Sequence, residues 1–312
     1  MQTLSGKIVF ITGGASGFGF ALAQVFGREG MTVVIADIRQ DRIDHSVNIL
    51  RGTGVTAEGV QLDVTDREAY ARVADDVETR IGPVQLLCNN AGLGIMGKIC
   101  DATYGDWDWI LGVNLGGLVN GLCTFLPRMR ARGQGGHVMA TASAAGLFAS
   151  EGVGIYVGAK MAVVGIMEVL RAELASESIG VTVVCPHLMR THIYEHATLR
   201  PNQPKSSGYG PPLKAEDVLT KQLEAMSAAG MDPLEVAEHT LAAVRDNDLY
   251  VIPFPELRGI VRQRYDALVS AMPDTVPDPE RLRYEAPTLR FGPYLEAIAR
   301  AKSRELPPDR SR

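Results

Sequence analysis

Tyr156 and Lys160 stand four residues apart in the segment GIYVGAK. On a helix, residues at that interval share a face, so a phenol and an ammonium would lie side by side. A phenol has a reference pKa of about 10, and a neighbouring cation favours its charged form. Such a tyrosine can take a proton from an alcohol oxygen and return it. The interval alone is common on helices, so the residues around it carry the argument. Ser143 closes the apolar run GHVMATAS, 13 residues before Tyr156, and Asn114 sits in a preceding helical region as part of GVNLGG.

A second group lies near the start. After the apolar run KIVFIT the chain reads Thr12-Gly13-Gly14-Ala15-Ser16-Gly17-Phe18-Gly19 and continues into an amphipathic stretch. Glycines between a strand and a helix let the backbone turn sharply and approach a pyrophosphate closely, with the unpaired N–H groups of the helix start facing the phosphates. The next strand-like run ends at Asp37, 18 residues past Gly19. That is near the separation of roughly 20 residues at which an acid holds the adenosine ribose hydroxyls. A carboxylate there repels a 2′-phosphate, so NAD is expected over NADP, with the nearby Arg39 softening the preference.

The elements that must position these residues alternate along most of the chain. Strand-like runs occur at 7–12, 31–37, 59–64, 84–90, 136–143, 180–186 and 249–253, with helix-like stretches at 17–29, 40–51, 65–81, 104–131, 154–178 and 232–246. Gly30, Gly82 and Gly180 read as left-handed helix caps. Nearly continuous apolar strands are buried on both faces. The fold class expected is therefore α/β: a doubly wound, Rossmann-type, seven-stranded parallel sheet with helices on both faces and a C-terminal helical extension. Residues 1–255 would form one catalytic domain. The Pro-, Gly-, Ser- and His-rich segment 187–231 reads as a substrate lid at the carboxyl end of a strand. In the extension, 256–312, Leu257, Ile260, Val261, Tyr265, Leu268, Val269 and Met272 form one helical stripe ended by Pro273, and a short helix is expected near 293–303. The extension is too small for a second catalytic domain and would pack on the first or on a neighbouring subunit.

Composition narrows the class of partner. The 312 residues carry a formal net charge of −5 and no lysine- and arginine-rich run, so nucleic acid is not an expected partner. The N-terminal residues lack the features of a signal peptide, and no stretch is expected to reach the roughly 18–20 uncharged apolar residues of a bilayer span. Cys88, Cys100, Cys123 and Cys185 show no metal or disulfide spacing and read as buried thiols, which points to the cytoplasm. His192 and His196 have the i,i+4 spacing of a zinc helix but no HExxH pattern, so no metal is expected. Trp107 and Trp109 read as packing residues at a helix start.

Taken together, these residues resemble the short-chain dehydrogenase/reductase family, over roughly residues 6–253. The matching segments are T12-GGASGF-G19, Asp37, L62-D63-V64, N89-N90-A91-G92, Asn114, Ser143, Y156-VGA-K160 and P186-HLMR-T191. The resemblance implies a cofactor site at Gly13, Ser16, Gly17, Phe18, Gly19, Asp37, Ile38, Asp63, Val64, Asn90, Ala91, Gly92, Tyr156, Lys160, Pro186 and Thr191. Asp63 and Val64 would meet the adenine and Thr191 the nicotinamide carboxamide. It also implies a catalytic set in which Tyr156 is the base, Lys160 and the positive nicotinamide favour its phenolate, Ser143 bonds the substrate oxygen and Asn114 holds a water relaying protons to Lys160. A homodimer or homotetramer through 104–131 and 154–178 is implied as well. The family has glycine after Pro186, where this chain has His187. That side chain either contacts substrate or is a tolerated loop substitution.

Longer strings, among them ADIRQDRID, DATYGDWDWILGVNLGG, NQPKSSGYG and LVSAMPD, are similar to a bacterial branch of Cα-dehydrogenases. Those enzymes oxidise benzylic secondary alcohols of lignin-type β-aryl ethers with NAD. A bulky aromatic substrate suits Phe148, His187 and a lid bearing Tyr194, Leu199 and Tyr209, and the same residues would suit a steroid or other polycyclic alcohol. A catalytically silent NAD-binding sensor or scaffold is the competing class; it has no chemical need for all of Asn114, Ser143, Tyr156 and Lys160.

Overall fold

The computed structural model describes residues 1–191, Tyr209 and 217–305, apart from the side chains of Leu219 and Glu305. Seven parallel strands form one sheet: β1 (Ile8–Thr12), β2 (Thr32–Asp37), β3 (Ala57–Gln61), β4 (Val84–Asn89), β5 (Gly136–Thr141), β6 (Ile179–Val184) and β7 (Tyr250–Val251). Their order is β3-β2-β1-β4-β5-β6-β7, so the direction of winding reverses between β1 and β4. Open α/β sheets bind ligands beyond the carboxyl ends of the strands at such a reversal.

The doubly wound expectation holds, and its physical cause is visible in β1. Successive side chains of a strand point to opposite faces. Val9 and Ile11 enter one apolar layer with Leu22 and Phe26 of α1 (Gly17–Arg28) and Ile43 and Leu50 of α2 (Gln40–Gly52). Ile8 and Phe10 enter the other layer with Tyr70 of α3 (Arg67–Arg80), Phe125 of α5 (Gly117–Arg132) and Met167 of α6 (Gly154–Glu173). Phe10, Tyr70 and Phe125 meet there with ring centroids 4.8–6.3 Å apart. Helix α8 (Pro233–Asp246) completes the first layer through Val236, Leu241 and Val244.

Several boundaries differ from the sequence expectation. The third strand spans Ala57–Gln61, not 59–64, because its ladder to β2 ends at the Asp37–Gln61 pair, while Leu62 and Val64 stay buried beyond it. Gly180 is no helix cap: it lies within β6 opposite His137, and Ser178 takes the left-handed backbone (φ 56°) after α6. Gly30 (φ 79°) and Gly82 (φ 131°) do follow α1 and α3. The segment 187–231 contains a helix, α7 (Val218–Ala228). Tyr194, Leu199, His192 and His196 lie outside the described residues.

The helix expected over 104–131 is two helices, α4 (Tyr104–Leu111) and α5, joined by a π-helical turn at Gly112–Gly116. This run, Tyr104–Arg132, is long and apolar enough to cross a membrane by length and composition, contrary to the expectation that no stretch would be. Residues 109–127 carry no charge, and Leu118 and Phe125 of this run belong to the second apolar layer. Only Cys88 and Cys185 are buried; Cys100 and Cys123 are exposed, the latter on the outer side of α5. The extension holds α9 (Arg258–Ser270), an unexpected α10 (Pro279–Glu285) and α11 (Gly292–Glu305). Asp278 caps α10 by accepting from Arg281 N–H, with Pro279 in the first turn, which are ordinary start signals hidden in a proline-rich string.

Candidate active site

The glycine turn is built from the sheet outward. Thr12 ends β1, and its Oγ1 accepts N–H bonds from Asn90 (3.0 Å) and Ala91 (3.1 Å) at the end of β4. Asn90 Nδ2 in turn donates to the carbonyls of Thr12 (3.1 Å) and Gly13 (3.2 Å), and its Oδ1 accepts from Thr141 Oγ1 at 3.0 Å. Three strand ends are thereby tied at the winding reversal. Gly13 and Gly17 have positive φ (61° and 50°), and a Cβ on Gly19 would fall 2.1 Å from Gly13 O. No side chain fits at Gly19, so the start of α1 packs directly on the turn.

The surroundings of the turn suit a dinucleotide. Ser16 precedes α1 without a side-chain bond to the helix, which leaves its hydroxyl and the helix N–H groups for phosphates. The Phe18 side chain is core, so only its backbone faces the turn. At the end of β2, Asp37 accepts from Ala15 N–H (3.3 Å) and Arg39 N–H (3.2 Å), which holds the carboxylate next to the turn. Burial raises its pKa despite these bonds. Ile38 beside it is exposed, Asp63 is exposed, and Val64 is buried against Gly117. Thr191 reaches over from the end of β6: its Cγ2 lies 3.3 Å from where a Cβ of Gly17 would be.

A residue the sequence reading passed over holds Thr191 in place. Ser227 of α7 donates through Oγ to Thr191 O (2.6 Å) and accepts from Thr191 N–H (3.2 Å). The paired backbone of Leu188–Arg190 and Met231 braces the same turn. A serine among many polar residues gives no sequence signal for such a contact.

The catalytic candidates converge at the ends of β4 and β5. Lys160 is buried, its Nζ donates to Thr141 O at 2.8 Å, and it lies 5.6 Å from the centre of the Tyr156 ring. Burial pulls its pKa down to about 8. Tyr156, partly exposed to the cleft, has its pKa raised by burial and lowered by a hydrogen bond from Ser143. Lys160 was expected to favour the phenolate. Desolvation dominates instead, since partial burial penalises the charged phenolate more than Ser143 favours it. Ser143 Oγ accepts Ala145 N–H at 3.1 Å, which leaves its own hydrogen to donate.

Asn114 occupies the π-helical turn, a feature frequent at functional sites. Its Oδ1 accepts from Leu93 N–H (2.7 Å) and its Nδ2 donates to Leu93 O (3.0 Å). The amide thus braces the turn after β4. Gly92 sits between it and the lysine: a Cβ there would lie 2.9 Å from Asn114 Oδ1 and 3.4 Å from Lys160 Nζ. Pro186 is buried and its carbonyl accepts Ala144 N–H at 2.7 Å, linking β6 to the Ser143 turn. His187 is exposed, its ring 6.2 Å edge-on from Phe254. Phe148 packs against both apolar layers. Trp107 and Trp109 pack on a small cluster of Leu93, Ile95, Ile110, Ile155 and Tyr209.

A family model described as short chain dehydrogenase matches residues 7–201, which spans the glycine turn, Ser143, Tyr156 and Lys160. The chain belongs to that family. A Cα-dehydrogenase of Sphingobium sp. (strain NBRC 103272 / SYK-6) is 41% identical over 289 residues, covering 92% of this chain and 93% of the relative. A solved short-chain dehydrogenase structure from Novosphingobium aromaticivorans superposes with TM-score 0.77 at 35% identity, covering 98% and 99% of the two chains. Another, from Burkholderia phymatum and in complex with NAD, has TM-score 0.79 at 31% identity, covering 89% and 99%. These short-chain dehydrogenase likenesses include the extension, which the family model does not reach.

Proposed function

We propose that the protein oxidises a secondary alcohol to a ketone with NAD, the alcohol being a bulky aromatic one of the benzylic, lignin β-aryl ether type. The observation that carries this reading is the convergence of Tyr156, Ser143 and Lys160 beside a glycine turn that admits no side chain at Gly19. The similar Cα-dehydrogenase supports the substrate class, and the NAD-bound relative supports the cofactor.

Gly13, Ser16, Gly17 and Gly19 would hold the pyrophosphate, Asp37 the adenosine ribose, and Thr191 the nicotinamide end. When bound, nicotinamide supplies the hydride acceptor. The protein supplies the proton acceptor: Tyr156 Oη takes the alcohol proton as the C–H electrons leave with the hydride. Ser143, its acceptor side filled by Ala145 N–H, donates toward the substrate oxygen or the phenolate. Lys160, anchored on Thr141 O, keeps a positive charge behind the phenol. Asp37 disfavours a 2′-phosphate, which selects NAD over NADP.

Self-association belongs to the same reading. Gly158 and Gly165 on α6 face open space, and Val119 of α5 and Val169 of α6 are exposed, so this face would carry a dimer or tetramer contact.

Initial rates with NAD and NADP, on enantiopure benzylic aryl-ether alcohols beside hydroxysteroids and simple secondary alcohols, test the proposal. NADH formation with the aryl-ether alcohols is expected; no turnover with any alcohol overturns it.

A further inference from the structure

Helix α9 begins the extension, and its docked side takes only Leu257 and Val261 from the apolar stripe its sequence advertises. Leu257, just ahead of it, is buried in the first apolar layer, and Val261 packs against both layers. The third residue on this side is Arg264. Ile260, Tyr265, Leu268, Val269 and Met272 are exposed. The helix is therefore oriented by an arginine as well as by apolar burial.

Arg264 reaches the catalytic segment. Its Nη1 donates to Leu147 O at 3.0 Å, and its Nη2 lies 3.9 Å from Met161 Sδ. Among the described residues no carboxylate pairs with this guanidinium; its other contact is the Tyr265 ring, 5.7 Å away. Leu147 ends the turn that starts at Ser143. Its N–H donates to Ala144 O, and Gly146 lies so close to α6 that a Cβ there would fall 2.8 Å from Lys160 O. After Leu147 the chain runs through the exposed residues 149–151 to the start of α6, where Tyr156 sits. Met161 follows Lys160 on α6. The two arms of Arg264 thus span the seam between the element that carries Ser143 and the element that carries Tyr156 and Lys160.

We infer that Arg264 is a positioning residue for the active site: it clamps the Ser143 turn onto the Tyr156 helix, so that the C-terminal extension completes the catalytic geometry of its own chain. The role assigned to Ser143 and Tyr156 rests on the dehydrogenase reading above; the contact itself does not. A bidentate guanidinium suits this position better than an ammonium, because one planar group must serve a carbonyl and a thioether at once. Loosening the seam lets Ser143 drift from the phenol, and small displacements of reacting groups cost large factors in rate.

The experiment compares Arg264→Met, which keeps an unbranched apolar side chain but no donor, with Arg264→Lys, which keeps one. In Arg264→Met, kcat with the best alcohol is expected to fall about tenfold. The kinetic pKa of the base should move upward, because the Ser143 bond that lowers it is weakened. NADH affinity measured by fluorescence should stay within about twofold, and amide exchange should quicken at residues 144–148. Arg264→Lys should recover part of the rate. Wild-type kcat and pH profile in Arg264→Met overturn the inference, as does a joint loss of NADH affinity and thermal stability, which marks a merely structural contact. If the wild type turns over no alcohol, the dehydrogenase reading falls, and amide exchange alone decides the clamp: unchanged exchange at 144–148 overturns it and faster exchange supports it.

Discussion

Lys160 donates to the carbonyl oxygen of Thr141 at 2.8 Å from a position closed to solvent, which puts a cation inside the sheet–helix interface. Burial depresses its pKa from 10.5 to about 8, a difference worth about 3 kcal/mol against folding while the group is charged. That cost is complete below pH 8 and fades as pH rises toward 10.5, where the unfolded chain also loses its proton. Lys160→Met removes the cost but leaves Thr141 O without its donor, a penalty of about 1–3 kcal/mol. The variant is expected to be inactive yet more stable than wild type by about 1 kcal/mol at pH 7. The advantage should disappear or reverse by pH 10. Urea unfolding of both proteins from pH 6.5 to 10 checks this, and a gap that widens with pH refutes it.

Tyr156→Phe removes the proposed proton acceptor without changing the shape of the pocket wall. Turnover should fall by about 10³-fold while NADH binding is retained. Because burial raises the phenol's pKa, wild-type kcat/KM for alcohol oxidation should climb with pH above neutrality, and ketone reduction should decline over the same range. Steady-state rates in both directions measure it.

Asp37→Asn should relax cofactor choice. A like-charge clash costs several kcal/mol, so the wild type is expected to favour NAD over NADP by about 10²-fold in kcat/KM, and the variant by about tenfold or less. The raised pKa of Asp37 means that its carboxylate is neutralised at higher pH than an ordinary aspartate, so the wild-type preference should narrow first on the acid side.

Ser227→Ala unties Thr191 from α7 by removing the two hydrogen bonds between this hydroxyl and the Thr191 backbone. KM for NAD should rise about fivefold with kcat little changed, matching the loss of about 1 kcal/mol of hydrogen bonding. A change confined to the alcohol's KM would count against a cofactor-side role.

The sheet, the glycine turn and the Tyr156–Lys160 pair were legible because each is a local pattern: apolar runs of strand length, glycines at fixed offsets, two residues one helical turn apart. Asp37 was legible because a strand end and a turn bracket it. What stayed hidden depends on contacts between distant segments. Nothing in the neighbourhood of Ser227 or Arg264 announces that one meets Thr191 and the other Leu147, 117 residues away. Gly180 read as a cap because a glycine after a helix is usually one. In the fold that position lies within β6, where a Cβ would strike His137 Nδ1 at 2.3 Å, so glycine is required by packing instead of by φ. The stripe along α9 misled for a related reason, since apolar periodicity identifies a helix but not which neighbour claims which flank.

The π-helical turn at Gly112–Gly116 places one surplus residue between α4 and α5. Each residue in an α-helix turns the chain by about 100°, and the widened turn absorbs the surplus one without rotating α5 relative to α4. Deleting one residue there would let the run close as regular helix, with the flank of α5 bearing Leu118, Phe125 and Met129 still on the sheet. What would change is the bulge itself, whose width carries the Asn114 amide to Leu93. The surplus residue therefore serves the seat of Asn114, and α5 would keep its own without it.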